Sequence, residues 1–221
     1  MLLLVGSFRP TTSSRPKLLT DISDGFRLVW RDPLLRTLVI IVAVMNIGWS
    51  AWLSMMVLYM VKPGPGGLSE FGFGLMLTSI GIGGLVGALL TVPLVNRIGR
   101  RWAIGADILG TFLMLTIPAL SSNAWWIGGA AIIGGFGGSM WSIVVSSIRQ
   151  QIIPDAMLGR TGGVFRLFGY GALPLGSALA GLIGEAFSIP AVFAFCGGAT
   201  ALLFIPFFRN ITPTALRYNQ V

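Results

Sequence analysis

Six apolar segments occupy most of this 221-residue sequence, and each is about as long as a helix that crosses a lipid bilayer. They cover residues 37–61, 71–95, 102–120, 125–148, 163–187 and 190–208. About 20 apolar residues in a helix span the hydrocarbon core. With 54% hydrophobic and 10% charged residues, the chain has too few charges to coat a water-soluble domain of this size. The sequence therefore predicts an all-α polytopic membrane protein with six transmembrane helices in residues 37–208.

Basic residues are distributed unevenly between the connections of these segments. If the segments cross alternately, fourteen of the fifteen Lys and Arg residues fall on one side and Lys62 alone falls on the other. Cytoplasmic loops of membrane proteins carry the excess of Lys and Arg. We therefore expect both termini, residues 1–36 and 209–221, in the cytoplasm and the chain in the cell (inner or plasma) membrane. The residues on that side are Arg9, Arg15, Lys17, Arg27, Arg31, Arg36, Arg97, Arg100, Arg101, Arg149, Arg160, Arg166, Arg209 and Arg217.

A short amphipathic helix is expected before the first apolar segment. Residues 21–31 bring Ile22, Phe26 and either Val29 or Trp30 near one helix face. The helix should end before the Asp-Pro pair at 32–33, because a residue that precedes proline avoids the helical conformation. We expect this helix to lie along the membrane surface.

The residue types exclude most enzymatic chemistry. The sequence has no histidine, and its one cysteine, Cys196, lies in an apolar run. Catalytic Ser-His-Asp or Cys-His sites and His-based metal sites therefore cannot form. Neither Lys17 nor Lys62 follows a glycine, which excludes a phosphate-binding P-loop. The net charge of +8 is spread over short clusters, which argues against nucleic-acid binding. We expect that the protein is not an enzyme and that it binds neither a cofactor nor a metal. Its main partner is expected to be the lipid bilayer.

An arginine-rich turn, residues 96–101, connects the second and third apolar segments. It resembles the loop pattern G-x-x-x-D-R-x-G-R-R of the major facilitator superfamily, which follows the second helix and, more loosely, the eighth. Two positions depart from the pattern, because Val92 replaces the first glycine and Asn96 replaces the aspartate. Without that carboxylate, the arginines either anchor the loop at lipid headgroups or bond to helix C-terminal carbonyls as a gate. The matching residues are Arg97, Gly99, Arg100 and Arg101.

The connection at residues 149–160 carries a second resemblance. It is similar to the connection after the tenth helix in exporters of the enterobactin-efflux and macrolide-efflux kind. The stretch Asp-Pro-Leu-Leu-Arg at 32–36 is similar to the entry into their seventh helix. Asp155 is expected to start a short surface helix that stops at Gly159. The residues selected in this region are Arg149, Gln150, Pro154, Asp155, Gly159, Arg160 and Arg166.

Together these resemblances imply the C-terminal six-helix half of a major facilitator. Residues 1–5 resemble the tail of the sixth helix, and residues 1–36 resemble the central loop of a complete transporter. The family implies transport of a small amphiphile, such as a drug or a siderophore, by proton-coupled alternating access. An N-terminal six-helix half or a second copy of the chain would then be a partner. A truncated fragment that does not transport, or a membrane scaffold or assembly protein, is the alternative.

Polar side chains in the apolar segments are candidates for a substrate path. Asn46, Ser50 and Ser54 recur every four residues and form one polar stripe on the first segment. In lipid this stripe must face protein or water, so it either lines a path or makes hydrogen bonds between helices. The resemblance implies that the first, second, fourth and fifth segments line the path. The candidates are Asn46, Trp49, Ser50, Ser54, Ser142, Ser146 and Tyr170.

Asp107 is the one acidic residue well inside a predicted segment. Acids within membrane segments are costly and are functional candidates by default. Asp107 lies six residues after Arg101, about 9 Å along the helix axis. The resemblance also implies a peripheral helix at this position, away from the path. We therefore expect an ion pair between Asp107 and the arginine-rich turn, with proton coupling as the alternative.

Overall fold

The computed structural model describes residues 18–217, and most of this range is helical. Within it, the only extended pairing is one bridge between Val61 and Leu68. The predicted all-α class is confirmed. The resemblance of residues 1–5, the basic residues Arg9, Arg15 and Lys17, and the tail after residue 217 lie outside the described range. The helices are α1 (Leu18–Arg31), α2 (Pro33–Met60), α3 (Glu70–Leu120), α4 (Ala124–Ile152), α5 (Asp155–Ala186), α6 (Ile189–Leu202) and α7 (Phe204–Asn210), followed by a 3-10 turn at Ala215–Arg217.

Five helical stretches of the described chain are long and apolar enough to cross a membrane, namely α2, α3, α4, α5 and the combined stretch Ile189–Asn210. With 51 residues, α3 is far longer than the others. A straight helix of that length would measure about 75 Å, more than twice the bilayer core of about 30 Å. The chain breaks inside α3 at Gly99, where φ is 80° and ψ is 160°. The two arms, residues 70–98 and 100–120, contain the predicted second and third segments.

A side-chain cap marks the start of α2. The Asp32 carboxylate accepts hydrogen bonds from the backbone N–H groups of Leu34 and Leu35 at 2.8 and 3.0 Å. Such a cap satisfies backbone donors that have no partner within the helix. Pro33 fits the first helical position, since it has no N–H to satisfy. The predicted end of α1 before this Asp-Pro pair is therefore confirmed.

The first arm of α3 and α4 approach until their backbones touch. A Cβ atom on Gly87 would lie 2.5 Å from the carbonyl oxygen of Phe136, and one on Gly83 would overlap the carbonyl of Ile132. Backbone atoms cannot rotate away as a flexible side chain can. Small residues are therefore required along this contact, as in other membrane helix pairs.

Buried apolar side chains form two clusters, one near each end of α2. Along α2, the first cluster ends at residue 45 and the second begins at residue 51. Along the second arm of α3, the first cluster ends at residue 108 and the second begins at residue 114. Polar residues such as Asn46 and Thr111 lie in the interval between the clusters. The core is therefore interrupted at mid-height of the bundle.

Helix α1 packs against the start of α5. A Cβ atom on Gly25 would lie 2.7 Å from the carbonyl oxygen of Arg160, so the two backbones are close. Arg160 also forms an ion pair with Asp24 at 3.5 Å. Val29 is fully buried, whereas Ile22 is 58% exposed. The predicted apolar face is thus divided between a packed side and an outer side that is available to lipid.

The prediction of a short surface helix that stops at Gly159 is wrong. Helix α5 runs without interruption from Asp155 to Ala186 and passes through Gly159. Glycine ends a helix when it adopts positive φ, and Gly159 does not. The next turns bury Thr161 and Val164 against the bundle. This packing extends the helix and offsets the cost of about 1 kcal/mol for a glycine in its interior.

Candidate functional site

A cavity of about 420 Å³, here called the central cavity, lies between α2, both arms of α3, and α4. It occupies the interval between the two apolar clusters. Its wall mixes aromatic rings with polar groups, whereas the surrounding clusters are apolar. The residues that line it include Asn46 and Trp49 of α2, Ile80 and Gly84 of the first arm, Asp107 and Thr111 of the second arm, and Gly138, Ser139, Trp141 and Ser142 of α4.

A second cavity of about 410 Å³, here called the arginine cavity, adjoins the first between α2, α4 and α5. The two cavities share Val42, Asn46, Trp141 and Ser142 in their walls, and the pair of cavities is here called the cleft. One end of the cleft contains a carboxyl group and the other contains guanidinium groups. The arginine cavity is also lined by Ser146, Arg149, Phe165, Arg166, Gly169 and Tyr170.

Two of the predicted path residues, Ser50 and Ser54, lie in the interface between α2 and α5. The Ser50 hydroxyl is 2.6 Å from both the Leu173 carbonyl oxygen and the Ser177 hydroxyl. The Ser54 hydroxyl donates to the Ser50 carbonyl at 2.8 Å and lies 3.0 Å from the Ser177 hydroxyl. Neither serine lines the central or the arginine cavity. Hydrogen bonding between helices, the alternative for this stripe, describes these two residues in the structure, and their role in a substrate path stays a prediction.

The other five predicted path residues line the cleft. Trp49 lies in the central cavity, with its ring stacked 6.0 Å from that of Trp52. Asn46 contributes to both cavities, and its side-chain amide donates to the Gly169 carbonyl at 3.0 Å. Asn46 therefore joins α2 to α5 at the point where the two cavities meet. Ser142 lines both cavities, and Ser146 and Tyr170 line the arginine cavity.

Asp107 is 1% exposed and lines the central cavity, although it was expected on a peripheral helix. Neither of its carboxyl oxygens has a hydrogen-bond partner among the described residues. The expected ion pair with the arginine-rich turn is therefore absent. The reason is helical geometry, because a separation of six residues turns the two side chains to different faces of the helix. Asp107 faces Gly137 of α4, whereas Arg101 lies against the ring of Phe207, at 5.7 Å from its centre.

The arginine-rich turn contacts the end of α4. Arg100 donates a hydrogen bond of 2.5 Å to the side-chain oxygen of Gln151. The guanidinium of Arg101 also lies over the ring of Trp102, at 5.7 Å. Asn96 and Arg97 are exposed, where they can meet water or lipid headgroups. The two regions that carry the family resemblance therefore touch each other, which their separation in sequence does not reveal.

Two candidates from the connection at residues 149–160 and the turn that follows it, Arg149 and Arg166, line the arginine cavity. The Arg149 guanidinium lies 4.1 Å above the ring of Phe165, close enough for a cation–π interaction. Arg166 is exposed and lines the same cavity. Pro154 is the residue that precedes α5, and it makes no side-chain cap. Gln150, Pro154 and Asp155 are exposed and stand outside both cavities.

Two polar residues of the site were missed by the sequence analysis. Thr111 lines the central cavity four residues after Asp107, on the same helix face. Helical spacing from Asp107 would have found it. Gln151 receives the hydrogen bond from Arg100, but nothing in the sequence distinguishes it from its neighbour Gln150.

A bundle of long apolar helices around a cleft with polar walls defines a multi-spanning membrane protein. Residues 7–214 match the family described as transmembrane secretion effector. The chain therefore belongs to this family of the major facilitator superfamily, and the resemblance seen in its motifs is confirmed.

Curated relatives of this chain are named as transporters. It is 28% identical over 176 residues to the multidrug efflux pump Tap of Mycolicibacterium fortuitum, over 80% of this chain and 42% of that protein. It is 30% identical over 192 residues to the pump of the same name from Mycobacterium tuberculosis, over 86% of this chain and 45% of that protein. Identity to the enterobactin exporter EntS of Escherichia coli is 26% over 188 residues, over 83% of this chain and 43% of that protein. The chain thus spans less than half the length of these relatives. Their names support a membrane transporter rather than an enzyme.

Proposed function

We propose that this chain forms the C-terminal six-helix half of an exporter that moves a small amphiphile, such as a drug or a siderophore, by proton-coupled alternating access. The cleft of the central and arginine cavities is its part of the substrate path. This cleft is the observation that carries the proposal. It combines aromatic walls with a few polar groups, as small-molecule sites do, and its central part of about 420 Å³ falls in their usual size range.

Six crossings with both termini in the cytoplasm agree with the helix lengths and with the basic residues. If each arm of α3 crosses separately, the break at Gly99 lies on the same side as residues 1–36 and 209–221. The arginine-rich turn and the connection around Arg160 are then cytoplasmic as well. Lys62 lies in the connection between α2 and α3 on the opposite side. This arrangement satisfies the positive-inside rule.

Two tryptophans give the cleft its preference for an amphiphile. The rings of Trp49 and Trp141 line the central cavity and offer flat apolar faces. Aromatic pairs of this kind contribute about 0.5–1.5 kcal/mol beyond the apolar area that they bury. Asn46 and Ser142 lie at the junction of the two cavities, where they can bond to polar groups of the same ligand. The names of the relatives, which include a multidrug efflux pump and an enterobactin exporter, support this class of substrate.

A complete path requires a second six-helix half. In major facilitators the substrate path runs between two such halves. The chain matches 42–45% of the Tap and EntS relatives, which is the share expected of one half. An N-terminal half, in the same or in another polypeptide, or a second copy of this chain fills this role in the proposal.

Proton-driven dye efflux from proteoliposomes tests the function. The chain is reconstituted alone and together with a candidate N-terminal half, and loss of trapped ethidium is followed under an imposed pH gradient. We expect efflux in at least one preparation and a loss of about tenfold in rate for Trp141→Ala. Trp125→Ala is the matched control, since Trp125 is 89% exposed at the start of the same helix. Absence of flux in both preparations, with the chain folded, would favour a non-transporting fragment or a scaffold.

A further inference from the structure

The carboxyl group of Asp107 is enclosed between two helices. A Cβ atom on Gly137 of α4 would lie 2.7 Å from Oδ1 of Asp107 and 2.8 Å from its Cα. Only glycine at position 137 leaves room for this carboxyl group. The side chain is 1% exposed, and neither oxygen has a hydrogen-bond partner among the described residues. A packed carboxyl without a bound cation or donor is stable in its neutral, protonated form, because a bare charge there would lose its hydration.

No charged side chain compensates Asp107 from the surrounding helices. The helices around this part of α3 contribute Arg36 and Tyr59 from α2, Arg149 from α4, Cys196 from α6 and Arg209 from α7 as their ionisable groups. None of these lines the central cavity, where Asp107 is the one ionisable group among the described residues. On its own helix, Arg100 is bonded to Gln151, and Arg101 lies against aromatic rings. The charge state of Asp107 is therefore controlled by hydration and by what occupies the cavity.

We propose that Asp107 is the proton-binding site of the central cavity, protonated while the second arm of α3 packs on Gly137 and deprotonated when this contact opens and water reaches the carboxyl group. On release, the O–H bond breaks, its electron pair stays on the carboxylate, and the proton passes to a cavity water. The cavity has room for this exchange. Its volume is about 420 Å³, whereas one water molecule in the liquid occupies about 30 Å³. Thr111 and Ser139 also line this cavity, and their hydroxyl oxygens can bond to that water.

The opening of the contact couples the proton to helix movement. Asp107 belongs to the arm that follows the break at Gly99, and Gly137 belongs to the helix that carries Trp141 and Ser142 of the cleft. A change in packing between the two helices therefore alters both the hydration of the carboxyl group and the shape of the cleft. This coupling role rests on the proposed transport function, whereas proton binding by Asp107 does not.

Infrared difference spectroscopy of the full chain in lipid nanodiscs measures this proton directly. Spectra are recorded across a pH titration for the wild type, for Asp107→Asn and for Asp155→Asn as the control. Asparagine has nearly the same shape as aspartic acid, so it fits against Gly137, and Asp155 is an exposed acid at the start of α5. We expect a protonated-carboxyl band that persists at neutral pH, vanishes in alkali, is lost in Asp107→Asn and is kept in Asp155→Asn. Identical spectra for the wild type and Asp107→Asn would overturn the proposal.

A second pair of variants tests the role of the helix contact. Gly137→Ala forces the carboxyl group away from α4, whereas a Cβ on Gly129 of the same helix meets nothing within 4 Å and lies outside both cavities. We expect the band to disappear at a lower pH in Gly137→Ala and at the wild-type pH in Gly129→Ala. An unchanged titration in a folded Gly137→Ala protein would overturn the link between packing and protonation. If Gly137→Ala does not fold, the Asp107→Asn titration decides the proposal.

Different experimental results would contradict the proposed proton site and the proposed transport function. If the chain does not transport, the infrared titration still reports the protonation of Asp107. If it transports and Asp107→Asn keeps full dependence on the pH gradient, Asp107 is not the coupling residue even though exporter function stands. We expect Asp107→Asn to lose the dependence of efflux on the pH gradient.

Discussion

The guanidinium of Arg100 donates a hydrogen bond of 2.5 Å to the side-chain oxygen of Gln151, across 51 residues of sequence. This bond joins the turn after the first arm of α3 to the last turn of α4. The same two helices enclose the central cavity, and their backbones touch at Gly87 and Phe136. The bond therefore holds α3 and α4 together at the end of this helix pair that contains Arg100 and Gln151. Loss of the bond should lower the stability of the fold.

The contribution of the bond between Arg100 and Gln151 can be measured as the coupling free energy of a double-mutant cycle. We expect the double-mutant cycle of Arg100→Ala and Gln151→Ala to give about 0.5–1 kcal/mol, because the pair is charge-assisted but partly open to solvent. Unfolding of the purified chain in mixed micelles, followed by circular dichroism, gives the free energies. The matched control is the cycle of Arg97→Ala with Gln151→Ala. It should show no coupling, since Arg97 is exposed and it is Arg100 that donates to Gln151. Equal coupling in the two cycles would contradict the assignment.

The break at Gly99 should depend on glycine itself. Its φ of 80° with ψ of 160° is a backbone region in which a Cβ is strained, at a cost on the order of 1–3 kcal/mol. Gly99→Ala should therefore destabilise the fold by this amount. Gly129→Ala in α4 is the control, because neither glycine has an atom within 4 Å of its added Cβ and only Gly99 has positive φ. Similar unfolding midpoints for the two variants would show that the break does not require this conformation.

The contact between α3 and α4 should be intolerant of a single methyl group. In Gly87→Ala, the new Cβ would lie 2.5 Å from the carbonyl oxygen of Phe136, so the helices must separate. We expect a loss of about 1–3 kcal/mol, typical of overpacking. Gly81→Ala lies on the same arm, and its Cβ meets nothing within 4 Å. That control should be neutral or slightly stabilising, because alanine favours helix. Thermal unfolding in detergent measures both, and equal losses would argue against close backbone contact.

The helical architecture could be predicted because it depends on local properties of the sequence. About 20 apolar residues must cross the core whatever their neighbours are, so length and composition locate the segments. Asp32 and Pro33 mark a helix start by their own chemistry. The break at Gly99 was also predictable, since glycine stands among arginines between two apolar segments. Long-range packing was not needed for any of these inferences.

The candidate site was harder to predict because it depends on which helix face turns inward. Asp107, Ser50 and Ser54 are all polar residues in apolar segments, and sequence alone cannot separate a cavity wall from a helix interface. The pairing of α2 with α5 placed Ser50 opposite Ser177, and the pairing of α3 with α4 placed Asp107 opposite Gly137. Gly159 was misjudged for a related reason, since burial of the residues that follow it continues the helix. Tertiary contacts decide each of these cases.

Two serines of similar chemistry should therefore have opposite roles. Ser50→Ala removes the hydrogen bonds to Leu173 and Ser177, so it should lower stability by about 0.5–1 kcal/mol and leave substrate preference unchanged. Ser142→Ala should leave stability within about 0.5 kcal/mol, because its side chain is exposed on the cleft. If its hydroxyl bonds to the substrate, the loss of one hydrogen bond should weaken ligand binding by about two- to tenfold. Detergent unfolding and ethidium titration of each variant measure the two effects side by side. Weaker binding in Ser50→Ala together with normal binding in Ser142→Ala would place Ser50, and not Ser142, on the substrate path.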